Sequence, residues 1–201
     1  MSERPAALDV SVLPAHAFGS RGLAWWATVG FIVIEAGMFA MVIASLFYLH
    51  GEEAQWPPAP FAPPELLWGT VNTAILLLSA WPNHEMRLAA ERLDLAGVRR
   101  WILVADAFSV AFLAVRWLEL GDLNVRWDSN AYGSVVWVLI GFHTFHLLTD
   151  AIESMVLTAM VLGSPGPRRY VDVSENGIYW YFVVVVWIPI YAVVYLLPRW
   201  W

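Results

Sequence analysis

The chain has 201 residues, 60% hydrophobic and only 14% charged, with a net charge of −6, 13 tryptophans and no cysteine. This excludes disulfides and thiolate metal sites, and it argues against nucleic-acid binding because no basic cluster rides on a polar face. The apolar excess departs from a soluble domain and specifies an integral membrane protein of one compact domain.

Residues 1–22 are polar and proline-punctuated, without the apolar core of a signal peptide, and are expected to form an N-terminal cytoplasmic tail carrying His16. The rest, 23–201, is expected to be an all-α transmembrane domain of five helices, with spans near 23–49, 66–90, 99–120, 132–162 and 178–198. A bilayer core of about 30 Å needs about 20 helical residues, and a helix satisfies its own backbone in lipid. The second apolar run is the shortest; it is expected to continue past a kink at Pro82 through "NHEMRLAAERLDLAG" and to end at Gly97. Between the first two spans, "HGEEAQWPPAPFAPPELLW" is acidic and proline-rich and reads as a stiff external loop.

Arginine sets the direction. Arg4, Arg21, Arg87, Arg92, Arg99, Arg100, Arg168 and Arg169 fall on one side of the spans, against Arg126 and Arg199 on the other. The positive-inside rule then predicts a cytoplasmic N-terminus and an external C-terminus, as an odd number of spans requires. Tryptophans near span ends, such as Trp25, Trp26, Trp81, Trp101 and Trp117, fit an interfacial belt.

Ionisable side chains inside spans seldom face lipid. In "GFHTFHLLTDAIE", His143, His146, Asp150 and Glu153 fall within an arc of roughly 80° at about 100° per helical residue. Glu35 lies mid-span in "FIVIEAGMFAMV" and is expected to meet the His143/His146 stripe. Three readings compete for this intramembrane polar cluster: a dinuclear iron or zinc centre with Glu35 as fifth ligand, a proton relay, or an interhelical hydrogen-bond network that locks packing. No Glu-x-x-His pair supports the first, and two histidines three apart on one helix cannot bracket a haem iron. Asn72 and Thr73 read as helix-packing polar groups, Asp106 as a partner for Ser109 or a neighbouring span, and Arg116 with Glu119 as an interfacial ion pair.

Taken in order, "FIVIEAGMF", "VNTAILLLSAW", "RWLEL", "YGSVVWVLIGFHTFHLL" and "IYWYFVVVVWIPIYAVVYLLPRWW" form a pattern over about 31–197. This pattern resembles subunit III of the haem-copper respiratory oxidases, the cytochrome c oxidase subunit 3 family, in its five-helix form. The resemblance implies a non-catalytic accessory subunit with no metal or catalytic residue of its own. It implies packing on the catalytic subunit I, with subunits II and IV as further partners and haem and copper on those partners. It also implies bound phospholipid, a bacterial inner (plasma) membrane, and a complex that reduces O₂ to water with electrons from cytochrome c or quinol while pumping protons. Glu35, His143 and His146 stand at family positions. The departures are the family's Trp-His-Phe-Val-Asp, here Trp180-Tyr181-Phe182-Val183-Val184, its Gln-x-x-Glu-Tyr, here Arg116-Trp117-Leu118-Glu119-Leu120, and the unusual Asp150 and Glu153. An accessory subunit of a nitric oxide reductase, which shares the five-helix pattern, and a stand-alone diiron membrane enzyme are the alternatives.

Overall fold

The computed structural model describes residues 17–200; residues 1–16, with Arg4 and His16 of the expected tail, and Trp201 lie outside them. After a short 3₁₀ turn at Gly19–Arg21, five long helices follow: α1 (Leu23–Glu52), α2 (Leu66–Glu91), α3 (Leu95–Gly121), α4 (Ala131–Leu162) and α5 (Arg168–Tyr191). α5 runs on through a π-helical turn at Ala192–Leu196 and a 3₁₀ turn at Leu197–Arg199. Pro189, which cannot donate to the helical ladder, lies three residues before this change of winding.

Four helices, α1, α3, α4 and the α5 segment to Arg199, are long and apolar enough to cross a membrane. α2 has the length, 26 residues or about 39 Å, but carries polar Asn72, Ser79 and Asn83, all buried. It packs between α3 and α5 with its polar groups turned inward, the reverse of a soluble amphipathic helix. α1 packs on α4 and α5 and leaves Leu23, Val33, Ile34, Met41 and Tyr48 exposed, the surface expected of a helix facing lipid.

Two boundaries differ from expectation. α2 ends at Glu91, close to the span read to 90, but the helical continuation to Gly97 is interrupted by a Schellman motif: the Asp94 amide donates to the Ala89 carbonyl and that of Leu93 to Ala90. Leu93 takes the left-handed conformation (φ 57°) usually given to glycine. Asp94 then caps α3 by accepting from the Gly97 amide at 3.1 Å, so Gly97 sits in the first turn of α3, where a Cβ would come within 2.5 Å of the Asp94 carboxylate. The second difference is larger: α5 starts at Arg168, ten residues before the apolar run at 178. Those first three turns carry Asp172, Glu175 and Asn176, which hid the helix from a reading based on apolarity.

α4 starts with Asn130 accepting from the Gly133 amide at 2.8 Å. At its far end the Arg99 guanidinium donates to the carbonyls of Val161, Leu162 and Gly163 at 2.7–3.1 Å. These are carbonyls that a helix leaves unpaired at its negative pole, so α3 caps α4 with a cation.

Candidate functional site

The polar residues form two separate constellations. The first lies in the core between α2, α3, α4 and α5. Arg116 and Glu119, one turn apart on α3, pair at 2.9 Å with exposures of only 1% and 2%. Glu119 Oε1 also accepts from the Tyr195 hydroxyl at 2.5 Å, and Oε2 accepts from the Asn72 amide at 2.5 Å. Donors thus reach both of its oxygens. Arg116 lies between two rings, 4.3 Å from the Trp187 centroid and 4.8 Å from that of Phe112.

His143 belongs here. Its Nε2 lies 3.1 Å from the Val183 carbonyl, which only accepts, and its Nδ1 lies 3.3 Å from an Arg116 nitrogen, which only donates. The ring is therefore the neutral Nε2–H tautomer, with neither nitrogen free for a metal. It also stacks on Trp187 at 4.7 Å. Thr73 joins by accepting from the Trp187 indole at 2.8 Å and donating to the Gly69 carbonyl at 2.7 Å. The Tyr195 ring rests on Gly69, where an added Cβ would stand 2.8 Å from the ring. The sequence reading assigned His143 to a cluster with Glu35; the structure turns it toward α3 and α5 instead. Three residues apart on a helix means about 60° of divergence, enough to send two side chains to different neighbours.

The second constellation is open. Glu35 of α1 meets His146 Nε2 at 3.2 Å and accepts from the Tyr179 hydroxyl of α5 at 2.7 Å. His146 Nδ1 donates to the Phe142 carbonyl at 2.6 Å. Nε2 and the Glu35 oxygen thus face each other across one proton position: either an acid donates to the imidazole, or an imidazolium donates to a carboxylate. The pair opens on a cavity of about 360 Å³ between α1, α4 and α5, whose wall also carries Asp150, Glu153 and Glu175. Asp150 is buried and accepts from the Asn176 amide at 3.0 Å, while Glu153 lies exposed at the edge.

Asp106 belongs to neither. It accepts from Ser154 at 2.5 Å and Thr158 at 2.7 Å, tying α3 to α4, while Ser109 bonds the Ala105 carbonyl of its own helix. Asn176 and Glu175 escaped the sequence reading because the fifth helix was begun too late. The available signal was spacing: Glu175 stands one turn before Tyr179, on the same face.

Comparison with known proteins gives the family. Residues 12–201 match the family described as Cytochrome c oxidase subunit III. A protein named Cytochrome c oxidase subunit 3 from Synechocystis sp. is 30% identical over 198 residues, covering 94% of this chain and 84% of the relative. One of the same name from Thermostichus vulcanus is 30% identical, covering 84% and 85%. A Probable cytochrome c oxidase subunit 3 from Nocardia farcinica is 31% identical, covering 82% and 81%.

Proposed function

The chain belongs to the cytochrome c oxidase subunit III family and is an accessory subunit of a haem-copper oxidase; from that premise we propose how it serves the complex. It is a membrane protein of a multi-subunit assembly. In our reading its immediate partner is the catalytic subunit I, with subunits II and IV beyond, and haem and copper reside on those chains. Its own contribution is a rigid flank that excludes water beside subunit I and retains phospholipid on its apolar faces. We place it in the bacterial plasma membrane, N-terminus in the cytoplasm and C-terminus outside, on the arginine distribution.

The observation that carries this reading is the buried core network around Glu119. Its residues most suited to chemistry, Arg116, Glu119 and His143, bond to one another and to neighbouring helices. They hold helices together and present nothing to a substrate. The nitric oxide reductase and diiron alternatives are not favoured: the relatives carry oxidase names.

Affinity purification of the tagged chain from native membranes tests the proposal. A haem- and copper-bearing subunit should come with it, and deleting the chain should leave haem reduction intact while shortening the active life of the complex. Recovery with a haem b and non-haem iron subunit would overturn the assignment of partners. A reporter fused after Trp201 should report from outside the cytoplasm.

A further inference from the structure

Tyr195 donates to Glu119 at 2.5 Å and Tyr179 to Glu35 at 2.7 Å, while Tyr191 bonds the Thr70 hydroxyl at 2.6 Å and Tyr181 the His84 ring at 3.2 Å. A phenol that loses an electron becomes a strong acid. It is oxidised most readily where a base within hydrogen-bond reach takes its proton in the same step. The surroundings of these tyrosines then sort them. Tyr195 is 1% exposed, and the Glu119 oxygen it bonds also holds the Arg116 guanidinium at 2.9 Å, so its proton would land beside a fixed cation. The Arg87 guanidinium lies 5.7 Å over the Tyr181 ring, where a positive charge opposes removal of an electron. The Thr70 hydroxyl is no base for the proton of Tyr191. Tyr179 is free of these obstacles. Its hydroxyl donates to Glu35 Oε2, and Glu35 Oε1 faces His146 Nε2 at 3.2 Å. Unlike a guanidinium, an imidazole can give up its proton, so this pair can receive one from Tyr179 and release one elsewhere.

We propose that Tyr179 is a redox-active tyrosine that quenches peroxyl radicals (ROO•) at the cavity between α1, α4 and α5, with Glu35 and His146 carrying its proton. Access is the first reason. Tyr179, Glu35 and His146 all line this cavity of about 360 Å³, so an oxidant entering it meets the phenol and its base together. The step balances as ROO• + Tyr–OH giving ROOH + Tyr–O•. The O–H bond of Tyr179 breaks; its electron goes to the peroxyl oxygen and its proton to Glu35 Oε2. The Glu35–His146 pair then holds one proton in excess and passes one to the hydroperoxide anion, forming the new O–H bond. Confinement is the second reason. The rings beside Tyr179 are Phe31 and Phe182, each with its centroid 5.8 Å away, and a benzyl ring is harder to oxidise than a phenol. The unpaired electron therefore stays on Tyr179. This inference goes beyond the packing role and stands without it.

The test uses the purified complex containing this chain, in nanodiscs, exposed to a lipid-soluble azo initiator that releases peroxyl radicals in air. Samples frozen at intervals are read by electron paramagnetic resonance. A neutral tyrosyl signal should appear, narrow when ring-deuterated tyrosine is incorporated, and be lost or clearly diminished in Tyr179→Phe. Glu35→Gln keeps an acceptor for the hydroxyl but no base for its proton, so the radical should form about 100-fold more slowly, the lower end of what a positioned base contributes. A residue that only supports packing would leave that rate unchanged. If Tyr179→Phe fails to assemble, the rate in Glu35→Gln decides alone. A signal undiminished in Tyr179→Phe, one lost in Tyr195→Phe or Tyr181→Phe instead, a rate in Glu35→Gln equal to that of the parent, or no tyrosyl radical at all overturns the proposal.

Discussion

The two polar constellations use the same kinds of side chain and end in opposite states. Around Glu119 every carboxylate oxygen has a donor and the histidine has both nitrogens engaged, with four helical segments locked by the result. Around the α1–α4–α5 cavity one carboxyl pairs with a histidine, a second holds an amide, and Glu175 holds nothing. The Glu119 network keeps two unpaired buried atoms of its own, Arg116 Nε and Asn72 Oδ1, but its carboxyl group is fully bonded, and breaking that pairing would leave a buried charge alone. On the cavity side Glu175 keeps the bonding capacity of a whole carboxyl group. The comparison separates residues that hold this protein's shape from those able to meet a ligand.

The strongest way to break it is Glu119→Ala. The substitution strands the Arg116 cation in the core with the Tyr195 and Asn72 donors, and removing one partner of a buried pair costs about 3–5 kcal/mol. The protein should accumulate poorly, and its unfolding temperature in detergent should fall further than with any other single substitution at either constellation. Replacing the pair together, Arg116→Met with Glu119→Leu, should recover much of the loss, since no charge is left unpaired. A double variant as unstable as the single one would show that the pair does more than satisfy itself. Gly69→Ala comes next. Its Cβ would meet the Tyr195 ring at 2.8 Å, and that ring cannot retreat without leaving Glu119. Overpacking of this kind costs about 1–3 kcal/mol. A normal unfolding temperature would mean that the network tolerates losing Tyr195.

The open side should respond less. Glu35→Gln keeps the shape and an acceptor for Tyr179, and can still meet His146, so about 1 kcal/mol or less is expected. If Glu35→Gln proves as damaging as Glu119→Ala, the distinction between the two constellations is wrong. Unfolding of both variants in the same detergent decides it.

Most of the fold was legible because apolarity and helix length answer to one solvent, the bilayer. Five helices in order, their approximate spans and the contact of Glu35 with His146 could all be read from spacing and burial cost. The start of α5 could not. Its first turns, "RRYVDVSENG", look like a connection because their polar groups are many, yet Glu175 and Asn176 are buried against the bundle. His143 was misplaced for a related reason: spacing assigns a face of a helix, but which neighbour that face meets depends on packing angles. Arg116 and Glu119 were legible as a pair. Their burial was not, because it rests on Asn72 and Tyr195, 47 and 76 residues from Glu119 in sequence.

A third pair sets the scale for both networks, because it is nearly all solvent. Arg126 and Asp128, in the connection between α3 and α4, make a two-pronged bridge at 3.0 and 3.1 Å, with side chains 77% and 41% exposed. The hydrogen bond from Arg126 holds the Asp128 carboxyl below its usual range. A carboxyl whose folded value is depressed stabilises the fold above its unfolded value, near about 4, and that contribution is lost as pH falls through the folded value. Asp128→Asn should therefore be the mildest change of all. Its small deficit relative to the parent should be visible at neutral pH and low salt, shrink as the pH drops below about 4, and fade as salt screens the pair. Thermal unfolding across pH and ionic strength measures this. A deficit that grew on acidification, or survived high salt, would place the bridge with the buried networks and not with the solvent.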